Sequence, residues 1–234
     1  SELRLLFDFD QPDATTGKAI DRSTNGNDGT LYTAPITNGV LSTTGSSSFV
    51  YVPSSQSLGV KQGASVIISL RAQSLVSGYS SRLFSKYRTT TNASLMLYLY
   101  GNPANSLGMS ATVGGTWAGI PAQDKSLILP NNTWHRLVWS YGPVGGGIML
   151  LDTIAGSNPS SYLGEISVNP YECYLGQWKG QIDDFAILGR EVTANELNSL
   201  ASGDSFLASL QVTFSSSVPV ASIPSTIWFG LYRT

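Results

Sequence analysis

The chain reads as an all-β sandwich with one short helix near its C-terminal end. Glycine (24 residues), proline (11) and abundant Ser, Thr and Asn cut it into short runs, as a many-stranded fold requires. Within several of those runs apolar and polar residues alternate, the period of a strand with one buried face. Thr193-Ala-Asn-Glu196 departs from that period and reads as a capping box. Leu197 and Leu200 follow as its apolar stripe, and Gly203 lies just past the helix end. At 234 residues the chain is long enough to bury a full core, and β sandwiches of this size often form one domain.

Leu5, Phe7 and Phe9 alternate with Leu6, Asp8 and Asp10, which predicts a first strand with one apolar face. Asp8 and Asp10 then share a face about 7 Å apart. A loop follows from Thr15 to Thr30, rich in the Asn, Asp and Gly that suit turns. Strands are expected at Phe49–Pro53, Ala64–Arg71, Arg82–Lys86, Ser94–Tyr100 and Trp134–Tyr141. In Ser94–Tyr100, Leu95, Leu97 and Leu99 face the core, so Met96, Tyr98 and Tyr100 face out. Trp117 falls in the glycine-rich stretch Gly114–Gly119, whereas Trp134, Trp139 and Trp178 are assigned to the core or its edge.

In Ile182-Asp-Asp-Phe-Ala-Ile-Leu188, strict alternation puts Asp183, Phe185 and Ile187 on one face. Phe185 and Ile187 would turn that face to the core. A carboxylate at the rim of a core has to be hydrogen-bonded or bound to a cation, because burying it alone costs several kcal/mol.

Several of these runs also resemble the LamG-like domains, the laminin G branch of the concanavalin A-like lectin and glucanase superfamily. The residues that carry the resemblance are Asp21 to Leu31, Phe49-Val-Tyr-Val-Pro53, Ala64–Arg71, Arg82-Leu-Phe-Ser-Lys86, Trp134–Tyr141, and the closing stretch Cys173–Leu197 with its Gly180, Ile182-Asp-Asp184 and helix. Two motifs depart from the family: Ala64–Arg71 lacks the usual following tryptophan, and Met149-Leu-Leu-Asp-Thr-Ile154 replaces a Tyr-Val-Asp-Gly turn. The resemblance implies a jelly roll of two antiparallel sheets over residues 1–203. Residues 204–234 form an extension, either an extra strand or a tail that docks on another subunit.

Composition narrows the function. Only 12% of residues are charged and the net charge is −2, so no basic patch is available to neutralise phosphates, and nucleic-acid binding is not expected. No run approaches the ~18 apolar residues of a membrane span. Cys173 is the only cysteine, which excludes an intrachain disulfide and fits folding in a reducing compartment. The chain opens as a strand and not as a signal peptide.

Glycoside hydrolysis needs two flanking carboxylates, and the glutamates (Glu2, Glu165, Glu172, Glu191, Glu196) form none of the paired patterns of the family's glucanases. His135, the only histidine, reads as a strand-surface residue. No enzyme is expected. The resemblance implies calcium, with Asp183, Asp21 and Asn27 as ligands, against the alternative that Asp183 and Asp21 only cap turns and accept backbone N–H bonds. For sugars it implies Tyr98, Tyr100 and Trp117 as the stacking surface, against the alternative that these rings are covered.

The expected function is a non-catalytic surface-display protein, a decoration or fibre component of a viral particle with weak glycan binding. The alternative is a secreted bacterial carbohydrate-binding or adhesion module. Partners would be assembly proteins, met through the apolar tail ending Ile227-Trp-Phe-Gly-Leu-Tyr232, and cell-surface glycans.

Overall fold

The computed structural model describes residues 2–10, 17–73, 81–86, 94–101, 104–119, 124–130, 132–156 and 163–201. The extension at 204–234 lies outside the described residues. Fifteen strands run in chain order: β1 (Leu3–Phe7), β2 (Lys18–Ala19), β3 (Gly29–Tyr32), β4 (Ile36–Thr37), β5 (Val40–Val52), β6 (Ala64–Ala72), β7 (Ser81–Lys86), β8 (Leu95–Gly101), β9 (Ala104–Val113), β10 (Thr116–Gly119), β11 (Asp124–Ile128), β12 (His135–Gly142), β13 (Gly146–Leu151), β14 (Ile154–Ala155) and β15 (Cys173–Leu188). Among the described residues one α-helix, α1 (Ala194–Ala201), follows these strands.

All pairings are antiparallel, and they join the expected two sheets into one curled sheet through β15. The first half of β15 pairs with β5 on one side and β7 on the other, which leads on to β8, β9 and β10. Its second half pairs with β6 and β1, and β6 leads on to β12, β13 and β14. A strand serving both layers must bend. The bend comes at Gly176 (φ 114°) and Gln177 (φ 66°), where the register against β5 shifts. A Cβ at Gly176 would lie 2.9 Å from the Ser48 carbonyl oxygen, so the close approach of β5 requires glycine.

The core between the layers is built from inward residues of nearly every strand, including Leu5, Phe7, Leu97, Leu137, Trp139, Trp178 and Phe185. A second, smaller cluster lies on the outer face of β6, β12 and β15, where Ile67, Val138 and Ala186 pack with Leu200 of α1. The capping box forms as expected: Thr193 Oγ1 accepts from the Glu196 N–H at 3.2 Å, and Glu196 Oε2 accepts from the Thr193 N–H at 2.8 Å. Glu196 is also buried against Arg190, whose Nη1 and Nη2 donate to it at 2.7 and 2.6 Å. That fork ties α1 to the end of β15 and raises the Arg190 pKa.

Strict alternation fails at two places. β1 ends at Phe7, and Phe9 turns back into the core with φ 54°, so Asp8 and Asp10 do not share a strand face. Leu6 is buried too, in the second cluster, so β1 is apolar on both faces. In β15, Ile182 lies opposite Leu70 but Phe185 lies opposite Ile68, which makes a β-bulge. The extra residue puts Ile182, Phe185 and Ile187 in the main core and leaves Asp183 and Asp184 together on the outer side. Asp183 is therefore not on the core face.

Candidate functional site

Asp21 and Asn27, two of the expected calcium ligands, are hydrogen-bonded within the protein. Asp21 is buried, and its two carboxylate oxygens already accept four hydrogen bonds: Oδ1 from the N–H groups of Leu6 (3.0 Å) and Ser23 (2.9 Å), Oδ2 from Ser23 Oγ (2.8 Å) and the Asn27 N–H (2.7 Å). The side chain of Asn27 is spent on the Arg4 carbonyl and Ser57 Oγ. Asp21 thus pins the Asn/Asp/Gly loop to β1 through these bonds. Among the described residues no group of three His, Cys, Asp or Glu is placed to hold one.

Nor do the expected sugar-facing rings form an open platform. Tyr98 does lie on the outer face of β8, but it is only 4% exposed. Its hydroxyl is within 2.8 Å of Ser110 Oγ and accepts from Tyr100 at 3.1 Å, and the two rings meet edge to face at 4.8 Å. Burial raises the Tyr98 pKa well above its ordinary value. Trp117 is half-buried on β10, beside Thr112. Alternation placed the Tyr98 ring on the correct side of its strand but could not show what closes over it.

The exposed aromatic surface lies farther along the same layer. Tyr32 of β3, Phe49 and Tyr51 of β5, and Tyr174 of β15 are cross-strand neighbours, with Tyr32 opposite Phe49 and Tyr51 opposite Tyr174. Tyr32 stacks on Phe49 at 5.0 Å, and Tyr174 meets Phe49 and Tyr51 edge-on at 5.4 and 5.7 Å. Tyr32 is 48% exposed and the other three rings are half-buried. Glu172 accepts from the Tyr174 hydroxyl at 2.9 Å, and Lys18 and Thr30 pair at the rim. The platform is not visible in the sequence because its four rings come from three strands that meet only through pairing. Phe49 and Tyr51, alternating with the core residues Val50 and Val52, were the available signal.

His135 is not a bare surface residue. Its Nδ1 lies 2.7 Å from Asp152 Oδ2 and its Nε2 lies 2.7 Å from Thr133 Oγ1. Asp152 also accepts from the Arg136 N–H at 2.8 Å, so the trio fastens the start of β12 to the turn after β13. Trp139 and Trp178 are core residues as expected, but Trp134 is 41% exposed.

No family model matches the chain, and no curated protein matches it. Solved structures do. The binding domain of Paraclostridial Mosquitocidal Protein 1 superposes with a TM-score of 0.68 at 12% identity, over 86% of this chain and 52% of that one. The receptor binding domain of the botulinum neurotoxin C/D mosaic serotype gives 0.64 at 12%, over 86% and 51%. Trypanosoma rangeli sialidase, solved with sialic acid, gives 0.63 at 10%, over 86% and 33%. The chain spans about half the length of the toxin binding domains and a third of the sialidase. At such identities the likeness is one of fold: an all-β sandwich.

Proposed function

We propose that the protein is a non-catalytic glycan-binding domain whose ligand site is the platform Tyr32, Phe49, Tyr51 and Tyr174. The observation that carries this reading is the exposed aromatic face itself. Four rings from three strands are held at fixed angles by one another, and they offer apolar area at low conformational cost to the C–H face of a hexose. Glu172, Thr30 and Lys18 stand at its edge to bind hydroxyls. The resemblance in fold to toxin binding domains and to a sialidase supports the class, since one of those toxin domains is a receptor binding domain and the sialidase holds sialic acid.

A glycan array followed by titration calorimetry tests it. Tyr32→Ala and Tyr174→Ala should each weaken binding about tenfold, roughly the loss of one well-made stacking contact. Wild-type affinity in both variants would overturn the assignment. A role on a viral particle rests on residues 204–234, and solution mass with and without them tests that role.

A further inference from the structure

We propose a second binding site, formed by Trp134 and Arg71 on the outer face of the opposite layer, for a sugar that carries a carboxylate. Trp134, Arg71, Gln181 and Ser42 form a row across four neighbouring strands: Trp134 precedes β12, and the others belong to β6, β15 and β5. The row is a relay. Gln181 Nε2 donates to Ser42 Oγ at 3.2 Å, which fixes the amide. Gln181 Oε1 in turn accepts from both Nε (2.8 Å) and Nη2 of Arg71. The guanidinium is thereby held 5.2 Å from the centre of the Trp134 ring, whose residue is 41% exposed.

The charge on Arg71 is not neutralised by this arrangement. Its hydrogen-bond acceptor is a neutral amide, and among the described residues no carboxylate lies within ion-pair distance of it, whereas Arg22 pairs with Asp8 and Arg190 with Glu2 and Glu196. A guanidinium has five N–H donors, so three remain to receive a carboxylate in the planar fork that arginine favours. The adjoining indole supplies an apolar wall for a ring. Fixed cation and exposed ring together match a uronic-acid type of sugar better than a neutral one. Asp183 and Asp184 stand on the same outer face, next to Gln181 along β15, so the carboxylate is expected to enter from the Trp134 side.

The site shares no residue with the Tyr32 platform, so either can fail alone. The test is a titration of the full chain with methyl β-glucuronoside and, separately, methyl β-glucoside. It follows the indole N–H signal of Trp134, one of five tryptophans, assigned with Trp134→Phe. The glucuronoside should shift that signal saturably, Arg71→Gln should weaken the response about tenfold, and Tyr32→Ala should leave it unchanged. Arg71→Lys, which keeps the charge but loses the fork, should fall between. No saturable shift, an equal shift with the neutral glucoside, or an undiminished shift in Arg71→Gln would each overturn the proposal.

Discussion

Asp184 should make this protein more stable at mildly acidic pH than at alkaline pH. The β-bulge of β15 leaves the side chain half-buried on the outer face, its Oδ2 reached only by a long bond of 3.4 Å from Ser69 Oγ. Burial, then the charge of Asp183, pushes its carboxyl from 3.8 up to about 7, with Asp10 and Asp8 adding to the rise and Arg136 opposing it. Because the folded state holds this proton more tightly than the unfolded chain, stability increases as pH falls through 7 and levels off near 4. Between pH 8 and pH 5 those two values give about 3 kcal/mol at most. Solvent screening of a half-buried group lowers that, so we expect about 1–2 kcal/mol, or a rise in melting temperature of about 2–8 °C for a chain of this size. The assay is thermal unfolding at pH 8, 7, 6 and 5 for the wild type and Asp184→Asn. The amide keeps an acceptor for Ser69 but carries no charge, so the variant should be the more stable at pH 8 and lose most of the slope. A wild type that loses stability between pH 8 and 5, or a variant that keeps the slope, would refute the reasoning.

Glu196→Ala should cost about 1–3 kcal/mol in denaturant unfolding, since it leaves the Thr193 N–H and hydroxyl without their carboxylate acceptor and takes one of two carboxylates from Arg190, Glu2 being the other. Gly180→Ala should cost about 1–3 kcal/mol, because a Cβ there would lie 2.3 Å from the Trp178 ring. Asp21→Ala should destabilise by about 2–4 kcal/mol through the amides it leaves unpaired, equally with calcium and with chelator; a chelator-dependent melting temperature in the wild type would show that the loop does hold the ion. Cys173, buried and with its thiol pushed up to about 12, should react with a thiol reagent only after unfolding, and rapid labelling of the native protein would contradict that.

Much of the architecture was legible because it rests on local rules. Ala64–Arg71 became β6 with one residue added, Arg82–Lys86 became β7, and the Thr193–Glu196 box caps α1 as its side chains require. The platform was less legible. Phe49 and Tyr51 announce an aromatic face on β5, but Tyr32 and Tyr174 join it only through the pairing of β3 and β15 with that strand. Tyr98 shows the converse. Its side of β8 follows from period two, whereas its burial depends on neighbours such as Ser110 and Tyr100, brought up by pairing and packing.

The bulge in β15 shows why a misread alternation matters for function. Period two holds only while each residue of a strand faces one residue of its partner, and one inserted residue reverses every assignment on one side of it. On the core face Asp183 would have required either a hydrogen-bond donor or a cation. With the bulge in place, Ile182 and Phe185 both fill the core, and two adjacent carboxylates share the outer side with Ser69 and Arg136. Their mutual repulsion costs stability at alkaline pH, whereas Gln181 lies before the bulge and faces both Arg71 and Ser42 in regular register. Deleting one residue of the Asp183–Asp184 pair would bring Ile182 and Phe185 to consecutive inward positions. It should thus lessen the pH slope of thermal unfolding, because one of the two repelling carboxylates is gone, and leave the Arg71–Trp134 contact in place; an undiminished slope would mean that burial alone raises the Asp184 pKa.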